Sequence, residues 1–209
     1  MQLTSSSFDD GQPIPPEFAF CAPGAGGSGG MGSNKNPHLR WVGDPVSTRS
    51  FAIICHDPDA PAYGDGVNEE GQTVEHGRER TDFYHWVLVN IPADVSEIPA
   101  GALSDGVTAR GKAPGSSRFG LQGINSYTGW FAGDDDMEGT YGGYDGPCPP
   151  WNDERIHHYH FTLYALDTDE LDVDDGGNFT APDVLDVLGG HVLAEAVLVG
   201  TYATNPNAR

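Results

Sequence analysis

Lysine is nearly absent from this chain. Among 209 residues only Lys35 and Lys112 occur, and Lys+Arg total 10 against 31 Asp+Glu, a formal net charge of −21. Nucleic-acid binding needs clustered basic residues that displace counterions, and anionic membrane surfaces attract the same residues, so both partner classes are excluded. So much acid repels itself. At molar salt the Debye length falls to about 3 Å and screens most of that repulsion, so the composition predicts a salt-rich, halophilic cytoplasm. Cysteine is scarce too: Cys21, Cys55 and Cys148 are an odd number without paired spacing. No disulfide framework is expected, and a reducing compartment is. Long apolar runs are missing, and the first ten residues have neither a basic region nor an apolar core. The expectation is a soluble cytoplasmic protein without a signal peptide or membrane span.

What is present is a series of strand signals separated by Gly/Pro-rich loops. Phe51-Ala-Ile-Ile-Cys55 is a short apolar run ending at His56-Asp-Pro-Asp-Ala-Pro61, a buried strand entering a Pro-punctuated turn. Residues 62–82 read as a long surface insertion. Tyr84-His-Trp-Val-Leu-Val-Asn-Ile91 is the best strand and stops at Pro92. Gly139 to Pro150 is dense in Gly and Pro, and it leads into the aromatic, β-branched strand beginning His157-His-Tyr-His-Phe. Thr180-Ala-Pro-Asp183 starts a capped helix whose apolar face holds Val184, Leu185, Val187 and Leu188, with Gly189-Gly190 ending it. Ala194–Tyr202 closes the chain as a strand. Gly24 to Ser33 reads as a surface loop, because no Gly-Lys-Ser/Thr follows to make it a phosphate loop. Asp169, Asp172, Asp174 and Asp175 lack the glycine and final glutamate offsets of an EF-hand. Strands without regular strand–helix alternation predict a mainly β fold, a sandwich of largely antiparallel sheets with a short C-terminal helix, in one domain over residues 1–209.

Several polar residues fall where strands meet loops. Asp57 and Asp59 flank a proline that restricts the turn. His85 opens a strand. His157 and Tyr159 are two apart on another strand and so share a face, while His158 and His160 take the opposite one. Imidazoles, a phenol and loop N–H groups together suit a small anion, and a carboxylate can orient a histidine and raise its pKa. The structural alternatives are plain: Asp57 as a turn cap, His158 and His160 as surface or core-edge residues. Cys148, between prolines, is a candidate nucleophile with His157, but no oxyanion hole or base–orienter pair is legible. No short histidine spacing supports a metal site, and no cofactor is implied.

At these residues the chain resembles the phosphatidylethanolamine-binding protein family, in its bacterial and archaeal Raf-kinase-inhibitor-like branch. The resemblance rests on Asn36-Pro-His-Leu-Arg-Trp41, Asp57-Pro-Asp-Ala-Pro61, His85-Trp-Val-Leu-Val-Asn-Ile-Pro92, Gly143-Tyr-Asp-Gly-Pro-Cys-Pro-Pro150, His157 to Asp167 and His191 to Tyr202, in family order and over nearly the whole chain. It implies a two-sheet antiparallel β-sandwich with an anion pocket at one end. By motif position it implies pocket residues Asp57, Asp59, His85, His157 and Tyr159, with Gly146 and Cys148 in a loop supplying backbone donors. The family's usual His-Arg-Tyr is here His157-His158-Tyr159. The insertion at 62–82 lies between two pocket-forming segments, placed to cover or reshape the mouth.

The function expected is non-catalytic and regulatory. The pocket would hold phosphate or a phosphorylated headgroup, His85 and loop N–H groups would donate to its oxygens, and Asp57 would orient His85. The resemblance implies regulation by binding, with a kinase as a possible protein partner and a homodimer as a possible assembly. The alternative is a hydrolase or isomerase using His157, Asp57 and Cys148.

Overall fold

A computed structural model describes residues 1–24 and 29–209. The centre of the Gly24–Ser33 loop therefore lies outside the described residues. In chain order the strands are β1 Gln2–Thr4, β2 Gln12–Pro13, β3 Cys21–Ala22, β4 Gly30–Met31, β5 Leu39–Val42, β6 Ser50–Pro61, β7 Arg80–Pro92, β8 Glu97–Ile98, β9 Gly115–Ser117, β10 Gly120–Gln122, β11 His157–Leu166 and β12 Val192–Tyr202. The helices are α1, Tyr127–Trp130, and α2, Ala181–Leu188. A seven-stranded sheet in the order β2-β12-β11-β6-β7-β10-β9 packs against a three-stranded sheet, β1-β5-β8, and β3-β4 form a small ribbon. All long-strand pairings are antiparallel, as expected for a mainly β sandwich.

The alternation of side chains decides the layers. Trp41, Phe51, Trp86 and Phe161 are buried in the core cluster that joins the two sheets. Ile54, Val87 and Val89 point to the other face, where Ala181, Val184 and Leu188 of α2 cover them. Burying a Val or Leu side chain of this kind is worth roughly 1.5–3 kcal/mol. The predicted helix start is correct in detail: Thr180 precedes α2, and its backbone N–H donates to Asp183 Oδ2 at 2.8 Å.

Two strands are longer than expected. β6 does not turn at His56 but continues to Pro61, and β7 begins at Arg80 rather than Tyr84. The prolines are tolerated because the pairing is irregular there, with a register shift between Asp57 and Ala60. A second shift lies where Cys55 pairs with Trp86 and His56 with Tyr84. That places an extra residue, His85, on β7, so that His85 and its neighbour Trp86 both turn inward instead of to opposite faces.

The 62–82 insertion is tied back to the body of the protein. Asn152 accepts from the N–H of Asn68 at 2.9 Å and donates to the carbonyls of Gly66 and Gln72 at 2.7 and 3.1 Å. Val74 within it is fully buried.

Candidate functional site

The inner face of β6, β7 and β11 carries Asp57, His85, His157 and Tyr159 at one end of the sheet. Three further pieces close a space over them. The Phe20–Cys21 segment is held by N–H donations to Pro147 O, at 2.9 Å from Phe20 and 3.1 Å from Cys21. The Gly146–Pro150 loop is pinned by the Tyr127 hydroxyl, which donates to Gly146 O at 2.8 Å. The insertion contributes Asn68 to the rim. The result is a pocket of about 280 Å³ whose walls are largely aromatic, with Phe20, Phe83, Tyr127 and Phe131 around the polar floor.

His157 is the charge centre. Its Nδ1 lies 2.7 Å from Asp57 Oδ2 and its Nε2 lies 3.1 Å from Asp153 Oδ2. Burial alone would lower its pKa, but the two carboxylates bonded to the ring push it up to about 9. The ring is therefore an imidazolium with both N–H groups engaged. Asp153 also takes two guanidinium donors from Arg80, at 2.5 and 3.0 Å. Burial would raise Asp153, yet His157 and Arg80 together hold its carboxyl below the ordinary range. Two buried carboxylates thus face two buried cations.

His85 is different. Its Nδ1 is 2.8 Å from the carbonyl oxygen of Asp145, which can only accept, so Nδ1 carries the proton. Burial lowers its pKa, and the ring is neutral. Among the described residues no protein group bonds to Nε2, which is left as an acceptor on a ring that lines the pocket. Tyr159 packs edge-on to His85 with ring centroids 5.1 Å apart. Its hydroxyl is buried and has no hydrogen-bond partner among the described residues. Burial, with Asp57 nearby, pushes the phenol's pKa well up, so it remains a donor.

Five of the seven expected residues, Asp57, His85, Cys148, His157 and Tyr159, line this pocket. Asp59 and Gly146 do not. Asp59 lies on a neighbouring crevice, where it accepts from Arg155 Nη1 and meets His158 Nδ1, each at 2.8 Å. Asp59 is therefore paired with His158 and Arg155 outside the pocket. The Gly146 N–H donates to Asn34 Oδ1 at 2.8 Å. Because Pro147, Pro149 and Pro150 have no N–H, the loop retains only that of Cys148 as a backbone donor. The expected cradle of loop N–H groups is thus reduced to one.

Three expectations are overturned. His85 is not a donor to the ligand, because its N–H is spent on the Asp145 carbonyl. Asp57 does not orient His85; it holds His157, and Asp145 orients His85 through its main chain. The reason is register: the extra residue on β7 turns His85 toward the Pro-rich loop and leaves Asp57 facing β11. Cys148 is not a free thiol. It forms a disulfide with Cys21, 127 residues away, with Cα atoms 4.8 Å apart. The nucleophilic role for Cys148 falls with it, and so does the premise that unpaired cysteines indicate a reducing compartment. Sequence spacing could not reveal the bond, because it is made only where β3 and the Pro-rich loop meet.

Asp145, Asn34, Asn125, Lys112, Arg80 and Asp153 were missed. Asp145 is fully buried and collects Asn34 Nδ2 at 2.7 Å, Asn125 Nδ2 at 2.8 Å and Lys112 Nζ at 2.6 Å. A signal existed: Asp145 lies inside the Gly143–Pro150 motif, and each Lys or Arg is rare in this chain. A rare cation that is nevertheless buried has been placed against a specific carboxylate.

Among the described residues no helix is long and apolar enough to cross a membrane. Comparison with known proteins gives consistent results. A curated protein of the UPF0098 group from Methanothermobacter thermautotrophicus is 35% identical over 202 residues, covering 97% of this chain and 98% of the relative. Escherichia coli YbhB is 33% identical over 85% of each chain. The crystal structure of E. coli YbcL, described as a new member of the mammalian family, superimposes with a TM-score of 0.68 at 30% identity over 97% of both chains. A homologue from Chlamydia trachomatis gives 0.63 at 27% identity, covering 96% of this chain and 95% of the other. The family model that matches extends over residues 4–203 and takes in every segment just described. The protein belongs to the phosphatidylethanolamine-binding protein family.

Proposed function

We propose that this protein binds a small oxyanion, phosphate or a phosphorylated headgroup, in the β6–β7–β11 pocket without transforming it, and that it regulates a protein partner such as a kinase through that binding. The observation that carries the reading is the Tyr159 hydroxyl, buried on the pocket wall with no acceptor among the described residues. A buried donor left unpaired costs about 1–3 kcal/mol, a cost that a ligand oxygen would remove.

The chemistry favours an anion that carries its own proton. Tyr159 donates, and neutral His85 accepts at Nε2. A hydrogen phosphate oxygen accepts from Tyr159 while its P–O–H donates to His85. The global charge of −21 opposes any anion, but the floor is locally balanced: Asp57 and Asp153 against His157 and Arg80, and Asp145 against Lys112. The aromatic walls suit an organic group attached to the phosphate. A catalytic reading has less support, since Cys148 is bonded to Cys21 and both nitrogens of His157 are occupied.

Calorimetric titration with inorganic phosphate and with phosphoethanolamine tests this. Binding is expected to be saturable and to weaken at least about tenfold in Tyr159→Phe and in His85→Ala, the loss of one hydrogen bond to a charged group. Equal affinity in both variants and the parent would place the ligand elsewhere.

A further inference from the structure

The other face of the same strands carries a feature that the pocket does not use. His56 on β6 and His160 on β11 are directly opposite each other in the antiparallel register. Their rings lie 5.2 Å apart, centroid to centroid, with planes tilted by 32°. Both residues are half-buried. Tyr84 on β7, opposite His56 on the other side, completes the row at 6.0 Å. Among the described residues no protein hydrogen bond reaches either imidazole. Two partly desolvated rings are thus held side by side by the sheet rather than by each other.

Burial lowers the pKa of His56, and the nearby His160 adds to this while Asp82 acts in the opposite direction. Imidazole binds metals through a ring nitrogen that carries no proton. Two imidazoles with centroids this close can each bring one nitrogen within about 2.0–2.1 Å of a shared ion. The strands pre-organise the pair, so little conformational freedom is lost on binding. Imidazole ligands select borderline transition metals over magnesium or calcium.

We propose that His56 and His160 form a two-histidine site for a divalent transition-metal ion of the nickel, zinc or copper type, on the sheet face opposite the oxyanion pocket. Among the described residues no set of three or more His, Cys, Asp or Glu side chains surrounds one point, so the protein supplies two ligands and water fills the remaining positions. The negative potential of Asp82 favours the cation. The site is exchangeable rather than structural, open on its solvent side.

The test is calorimetric titration of chelator-treated protein with NiCl2 and ZnCl2 in a phosphate-free buffer, with MgCl2 as a control. One saturable site is expected for nickel and zinc and none for magnesium. His56→Ala and His160→Ala should each weaken it at least about tenfold, and His191→Ala, an exposed histidine paired with Asp167, should leave it unchanged. Trace Cu2+ should broaden the ring-proton resonances of His56 and His160 in the parent protein before those of the other histidines, a readout that needs no variant. Absence of saturable binding, affinity that survives both alanine variants, or broadening that starts at other histidines overturns the proposal. Phosphate affinity should be unchanged in His56→Ala, which keeps this result separate from that of the pocket.

Discussion

His157 holds two carboxylates in place, and its protonation decides whether they repel. Its folded pKa of about 9 stands above the ordinary value of 6.5. A raised pKa means that the folded state binds the proton more tightly, so this contribution is complete below pH 6.5 and is lost as pH rises toward 9. At about 1.4 kcal/mol per pH unit the loss is on the order of 3 kcal/mol. Asp153 and Asp59 act with the opposite sign, since their lowered pKa values stabilise above the ordinary carboxylate range and fail as pH falls through it. His85, lowered by burial, also destabilises as pH drops below 6.5. Urea unfolding at pH 6.5, 8 and 9 should therefore show falling stability, and His157→Gln should flatten the profile. A parent profile that stays level across this interval would mean that the imidazolium is not paired as described.

At the level of elements, the pocket depends on how the ribbon β3-β4 and the Gly146–Pro150 loop are joined. The Cys21–Cys148 disulfide closes 127 residues of chain. Restricting the unfolded chain over so long a loop contributes about 2–4 kcal/mol. Cys21→Ser with Cys148→Ser, or reduction with dithiothreitol, should lower the denaturation midpoint accordingly. Phosphate affinity should weaken as well, because the Phe20–Cys21 segment and the loop form two walls of the same pocket. If the midpoint is the same with and without reductant, the two cysteines are not joined in solution. Legibility from sequence was uneven at this scale. The apolar runs of β6, β7 and β11 announced themselves, as did the capped start of α2. The extension of β6 through two prolines did not, because it depends on a partner strand that tolerates a register shift at Pro58. The Asn152 side chain that organises the insertion is equally silent in sequence, since an asparagine in a polar stretch has no distinguishing neighbour.

For the whole molecule, the acid excess lies mostly on the surface, while the few cations include Arg80 and Lys112, placed against buried carboxylates. The outside is therefore self-repelling and the interior balanced. Raising KCl from about 0.1 M to 1 M shortens the Debye length from about 10 Å to 3 Å. Surface repulsion should fall, and buried pairs should be little affected. The thermal midpoint is expected to rise with KCl by about 2–4 °C for each kcal/mol of repulsion relieved. A midpoint that falls or stays constant would show that exposed ion pairs, such as Arg49 with Asp169, outweigh that repulsion.

Local pattern alone determined the apolar cores of β6, β7, β11 and β12, the helix start, the acid excess and the residue types gathered at the strand ends, because each is set by neighbours within a few positions. The pairing of Asp57 with His157, the orientation of His85 by Asp145, the filling of Asp59 by Arg155 and His158, and the Cys21–Cys148 bond were decided only by the tertiary structure. Each joins residues 60 or more positions apart. Each also depends on sheet register, where a shift of one residue turns a side chain to the opposite face.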